Sequence, residues 1–195
     1  MTFGLDVTLD GCCDHREMVA NGEMLRYVTR LLDGAGAMLF GRGTYELMED
    51  AWPQVVRDPK ATSSNRASAK KLENETKYVF SASRRDFPWK NTHHVEGDLA
   101  RAVKALKKAT LRGLIVGSPK LSAALQRLDL VDEYRFVVNP VLAGHGPFLF
   151  PGLQPSLRLK FVAATRLKSG IVALHHHLSR RARAHPRRRE PSRCT

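Results

Sequence analysis

Cysteine is scarce in this chain, acids are outnumbered, and long apolar runs are missing. Three cysteines occur among 195 residues. Cys12 and Cys13 are neighbours, so a bridge between them would be strained, and Cys194 lies near the end. That pattern excludes a disulfide framework and predicts reduced thiols in a cytoplasmic protein. No stretch approaches the roughly 18 consecutive apolar residues of a membrane helix. The opening residues Met1–Gly11 lack a basic region followed by an apolar one, so no secretion signal and no membrane partner are expected. The fingerprint Gly-x-Gly-x-x-Gly is absent too, because "GRGTYE" (Gly41–Glu46) matches only half of it. A Gly-x-Ser-x-Gly nucleophile elbow is also missing.

Nineteen acids stand against 32 lysines and arginines, for a net charge of +13. The excess is uneven. From Leu178 to Thr195 the chain carries seven arginines against Glu190 alone. Prolines and few apolar residues predict that 178–195 is a disordered basic tail. Such a tail touches nucleic acid only nonspecifically, through charge. Residues 1–177, with an ordinary apolar content, predict one globular domain.

Apolar periodicity divides that domain. "FGLDVTL" (Phe3–Leu9) reads as a strand ending at the turn pair Asp10-Gly11. Asn21 caps a helix through "GEMLRYVTRLLDG", with Gly34 at its end. "AMLF" (Ala37–Phe40) is a short buried strand. "TYELMEDA" is a helix stopped at Trp52-Pro53, and "TSSNRASAKKLENE" is a polar surface helix. Strands follow at Lys77–Ser83 and in "THHVEGD". Asp98 caps "LARAVKALKKA", and the strand Leu114–Gly117 runs into a helix with Pro119 in its first turn. "DEYRFVVNPVL" is a strand, "AGHGPFLFPG" a loop, and the segments around "KSG" form a hairpin. The order β-α-β-α-α-β-β-α-β-α-β-β-β implies an α/β fold. A mixed, mostly parallel sheet carries helices on both faces and a C-terminal antiparallel hairpin at one edge.

In open parallel sheets, ligands sit beyond the carboxyl ends of the strands. Three such ends carry anion-binding chemistry. Gly41, Arg42 and Thr44 join a helix N-terminus to a guanidinium. Ser81, Ser83 and Arg84 place hydroxyls beside a cation. Gly117, Ser118, Pro119, Lys120 and Leu121 open another helix behind a glycine that lets a ligand approach the backbone. Together they suit a polyanion such as a dinucleotide phosphate. Taken singly, each is also an ordinary helix start or a solvated arginine. Asp10 and Glu23 are candidates for proton chemistry, although Asp-Gly is a good turn and an early glutamate favours the helix dipole. Cys12, Cys13, Asp14 and His15 lack metal-ligand spacing. In the runs His93-His94 and His175–His177, neighbours on a strand face opposite ways. No metal is expected.

"LDGCCDH" (Leu9–His15), "LFGRGTYELM" (Leu39–Met48) with Trp52-Pro53, "VFSAS", "LIVGSPKL", "LVDEYRFVVNPVLAGHGPFLF" and "SGIVAL" carry a resemblance in their order and spacing. The chain resembles the dihydrofolate-reductase-like family. More closely, it is similar to stand-alone relatives of the C-terminal reductase domain of the riboflavin-biosynthesis deaminase-reductase. The resemblance implies a three-layer α/β/α fold and an NADPH-dependent reductase of a small pyrimidine- or pterin-like heterocycle. It implies that Arg42 and Thr44 contact phosphate and that Ser81, Ser83 and Arg84 receive the adenosine 2′-phosphate. Gly117–Leu121 would run under the pyrophosphate and nicotinamide. The loop Pro140–Gly146, with Gly144, would border the cofactor and substrate, and Asp10 and Gly11 would line the substrate side, with Glu23 slightly out of register. It also implies a homodimer. A non-catalytic nucleotide-binding module of the same fold and a nucleic-acid binder acting through the tail remain alternatives.

Overall fold

The computed structural model describes residues 1–19, 21–151, 153 and 156–179. The expected basic tail therefore falls, from Arg180 onward, outside the described residues. Among the described residues there are eight strands: β1 (Thr2–Thr8), β2 (Ala37–Gly41), β3 (Lys77–Phe80), β4 (Thr92–Val95), β5 (Leu114–Val116), β6 (Glu133–Asn139), β7 (Leu159–Arg166) and β8 (Val172–Leu178). Five α-helices accompany them among the same residues: α1 (Gly22–Asp33), α2 (Arg42–Arg57), α3 (Ser63–Asn74), α4 (Leu99–Ala109) and α5 (Pro119–Arg127). The strands form one sheet in the order β4-β3-β2-β5-β1-β6-β8-β7. The first six run parallel, while β8 pairs antiparallel with β6 and β7 with β8. This is the expected dihydrofolate-reductase-like architecture.

Two apolar layers hold the sheet. On one face α4 and α5 supply Val103, Leu121 and Leu125 to a cluster with Phe3, Leu39, Val116 and Tyr134. On the other, α1, α2 and α3 supply Leu32, Tyr45 and Leu72 against Phe40, Val79 and Ile115. Met24 of α1 extends this second layer over Val137, Ile171 and Ala173 toward the hairpin. β2 reads as an unbroken apolar run because both of its faces are covered.

Several boundaries differ from the sequence reading. α2 begins at Arg42, with Gly41 as its N-cap, and continues to Arg57 with Pro53 inside it. An interior proline costs a hydrogen bond and clashes with the preceding turn. Here Trp52 packs against the second apolar cluster and holds the following turn in place. β3 ends at Phe80, before the serines. β6 ends at Asn139, ahead of Pro140, which lacks an N–H for the ladder. Between β1 and α1, His15–Glu17 form a 3-10 turn capped by the Asp14 side chain. Leu178 belongs to β8 and not to the tail. Its N–H bonds Asp132 O at 2.9 Å, and Leu178 packs against the first cluster.

Candidate functional site

Parallel pairing aligns the carboxyl ends of β3, β2, β5, β1 and β6 along one edge of the sheet. The suspected strand ends therefore become neighbours. The β2 and β5 ends are joined directly. The Ser118 hydroxyl accepts the Gly41 N–H at 3.0 Å and is itself buried. A Cβ added at Gly41 would meet Leu121 Cβ at 3.7 Å and Ser118 Cβ at 4.0 Å, so α5 lies close against the start of α2.

The starts of α2 and α5 share a second property. Asn21, Thr62 and Asp98 cap α1, α3 and α4 with side-chain oxygens. Neither α2 nor α5 has a side-chain cap bond. A helix start leaves its first N–H groups without intrahelical partners. At α5 Pro119 removes one donor; at α2 the groups of Arg42, Gly43 and Thr44 are donors at the positive end of a 16-residue helix. Gly43 is exposed, with open space where a Cβ would be.

Arg42 projects beside this start. Its side chain is 53% exposed and reaches Glu46 at 3.6 Å. Arg84 comes to the same carboxylate at 3.6 Å but is held elsewhere. It meets Glu49 at 2.9 Å, donates to Asp86 O at 2.7 Å, and stacks over Phe87 and Tyr45. Ser81 Oγ accepts the N–H of Arg84 at 2.9 Å and that of Ser83 at 3.3 Å, and Ser83 is exposed. Lys120 is exposed, whereas Leu121 is buried in the core beneath α5.

The Asp10–Gly11 turn and the loop after β6 also meet. The Asp10 carboxylate accepts the N–H of Gly144 at 2.8 Å, that of Ala143 at 3.2 Å, and the Thr8 hydroxyl. The Thr8 bond first, then that from Gly144, pulls the Asp10 carboxyl down to about 2. Asp10 is thus ionised at neutral pH, and it clamps the 140–146 loop to the end of β1. Gly11 and Gly144 take positive φ, +82° and +71°, as those two turns require. Glu23 lies apart: its carboxylate accepts the Lys168 N–H at 2.9 Å and secures the β7–β8 turn to α1.

One residue was passed over in the sequence. Asp6 sits in β1 opposite Val137, and strand alternation places it with Thr8 on the face covered by α1. Burial pushes its carboxyl up to about 6. An acid between Leu5 and Val7 in an apolar strand was the available signal. A carboxyl of this kind exchanges a proton near neutral pH, as a general acid must.

Residues 2–173 match the family of the RibD C-terminal domain. The uncharacterized protein YyaP of Bacillus subtilis (strain 168) is 26% identical over 181 residues, spanning 89% of this chain and 92% of that protein. The crystal structure of a putative riboflavin biosynthesis protein from Shewanella sp. PV-4 superposes with a TM-score of 0.70 at 18% identity, covering 92% of this chain and 98% of the other. A pyrimidine reductase-like protein from Corynebacterium diphtheriae gives a TM-score of 0.65 at 14% identity, covering 92% of each.

Proposed function

The chain belongs to the RibD C-terminal domain family, and from that premise we propose that it is an NADPH-dependent reductase of a small pyrimidine- or pterin-like heterocycle. The observation that carries this reading is the pair of uncapped helix starts, α2 and α5, locked together by the Ser118–Gly41 bond at the carboxyl edge. Both helices present positive ends where a diphosphate would lie.

The residues present fit that cofactor. Arg42 has an exposed guanidinium beside free N–H groups, Thr44 adds a hydroxyl on the same turn, and Gly43 leaves the approach open. When bound, NADPH supplies the hydride. The chain's own part is to hold and orient. Asp10 fixes the loop carrying Gly144 over the end of β1. Burial raises the Asp6 carboxyl to about 6, which gives it a larger protonated fraction than an ordinary aspartate, the property a proton donor to the heterocycle needs. Arg84, with Ser81 and Ser83 beside it, would need to share its guanidinium between Glu49 and a 2′-phosphate.

The reading includes a homodimer. β7 supports it: all eight of its residues are exposed, with Phe161 and Val162 uncovered. A single monomeric species in sedimentation velocity would remove the pairing. Engagement of Asp10 and Glu23 in structural bonds favours, as a second reading, a nucleotide-binding module without turnover.

Titration with NADPH and NADH, alongside Arg42→Ala, tests the site. Losing one charge-assisted phosphate contact should cost about 1.5–3 kcal/mol, roughly a 10- to 150-fold loss of affinity. Unchanged NADPH affinity in the variant would sink the reading. Binding with no turnover across a panel of pyrimidines and pterins would leave the second one.

A further inference from the structure

A cluster unrelated to this site lies at the opposite edge of the sheet. Antiparallel pairing of β6 with β8 sets Glu133 opposite His177 and Arg135 opposite His175. Directly opposed residues share a face, as do residues two apart. Glu133, His175 and His177 therefore project together. Their ligand atoms all lie within 4.8 Å of one another, and His175 Nε2 is 3.2 Å from Glu133 Oε2. Adjacency on a strand, which turns neighbouring histidines to opposite faces, speaks against a metal. It holds for His176, which packs edge-on against Phe161 on the other face. It does not reach the i, i+2 pair, and it could not see the carboxylate from β6.

We propose that Glu133, His175 and His177 form a binding site for a divalent transition cation of the zinc type. Two imidazoles and one carboxylate are the donor set zinc takes when it keeps a position open. Tetrahedral donors about 2 Å from the ion stand roughly 3.3 Å apart, a closure that side-chain rotation on fixed strands provides. Glu133 and Arg135 also line a cavity of about 280 Å³ with Thr2, Arg30 and Arg112. That space leaves room for water or a small anion as the remaining ligand. The ion would tie β6 to the closing hairpin.

Two cations oppose the site. Arg135 Nε lies 3.6 Å from Glu133 Oε2, and Lys160 pairs opposite His177 on β7. Binding requires Glu133 to exchange Arg135 for the metal, which makes Arg135 a handle on the affinity.

Calorimetric titration of the full chain with Zn²⁺, in a buffer that does not ligate it, tests the proposal. One ion per chain is expected, with a rise in melting temperature. His177→Ala, at an exposed position, and Glu133→Gln should each weaken binding on the order of tenfold or more, while Arg135→Gln should tighten it. A Co²⁺-loaded sample should show d–d bands without thiolate charge transfer. Absence of stoichiometric binding, or binding that His177→Ala and Glu133→Gln leave unchanged, would overturn the site. Thiolate charge transfer from Co²⁺ would do the same, by placing the ion on cysteines.

Discussion

At the amino edge of the sheet Asp132 takes the N-terminal ammonium at 2.6 Å and Lys107 at 2.5 Å. Lys77, fully buried, donates to the carbonyls of Leu72, Glu73 and Glu75 at the end of α3 and lies 4.5 Å above the Trp89 ring. At the carboxyl edge two neighbouring helices begin with no side-chain cap, and the exposed Arg42 reaches Glu46 at 3.6 Å. At Asp132 and Lys77 the amino edge completes its electrostatics internally. The other leaves donors and positive charge open along adjacent strands. Natural chains tolerate such incompleteness where a ligand supplies the missing partner.

The largest test of this contrast breaks the completed edge. Lys77→Met keeps the aliphatic stem and removes the cation, leaving the α3 carbonyls unanswered. A buried polar group without its partner costs about 1–3 kcal/mol, and with more than one carbonyl involved the expected loss is about 3 kcal/mol. Urea unfolding at constant m-value measures it. NADPH affinity of the folded fraction should stay unchanged. A loss below about 1 kcal/mol would mean that internal pairing at this edge is not what stabilises it.

Much of this contrast was legible in sequence, and the limits are physical. Element order followed from apolar periodicity and from the caps at Asn21 and Asp98, which are local signals. Gly41 and Ser118 could each be named as strand-end residues, but their mutual bond spans 77 positions and depends on β2 lying beside β5. Asp10 and Gly144 meet across 134 positions for the same kind of reason. Arg84 read as a free phosphate partner because the sequence does not show that α2 brings Glu49 to it. Pro53 read as a stop because the packing of Trp52, which overrides it, is tertiary. The Glu133–His175–His177 cluster needs the β6–β8 register, which no single strand contains.

A smaller effect is expected from Asp6, inside β1 opposite Val137. Its folded pKa, about 6, lies above the ordinary carboxylate value. Below about pH 4 the group is protonated folded or unfolded and costs nothing. As pH rises through the folded value, the native state must bury an ionised carboxylate, so stability falls over that window and stays lower above it. Asp6→Asn should therefore raise stability at pH 8 and lose that advantage near pH 4. Melting curves at both pH values check it. If Asp6 also delivers the proton, turnover in the parent should decline as pH rises through about 6, and the variant should lose that inflection. A stability gain independent of pH would show that Asp6 is not buried in ionisable form.

The smallest change completes the open edge artificially. Gly41, the N-cap of α2, has φ −79° and ψ 156°, an extended conformation that any residue adopts. Its nearest neighbours stand at ordinary contact distance from an added Cβ. Gly41→Ser therefore fits and places a hydroxyl where it accepts a free N–H of the first helical turn. Serine exceeds glycine as an N-cap by only a few tenths of a kcal/mol, so the melting temperature should rise slightly. The same bond competes with phosphate for the donor, and NADPH affinity should fall several-fold. A gain in stability with a loss in affinity is the signature of a site kept incomplete for its ligand. A gain with affinity intact would separate the uncapped start of α2 from cofactor binding, and the contrast between the two edges would then be one of folding alone.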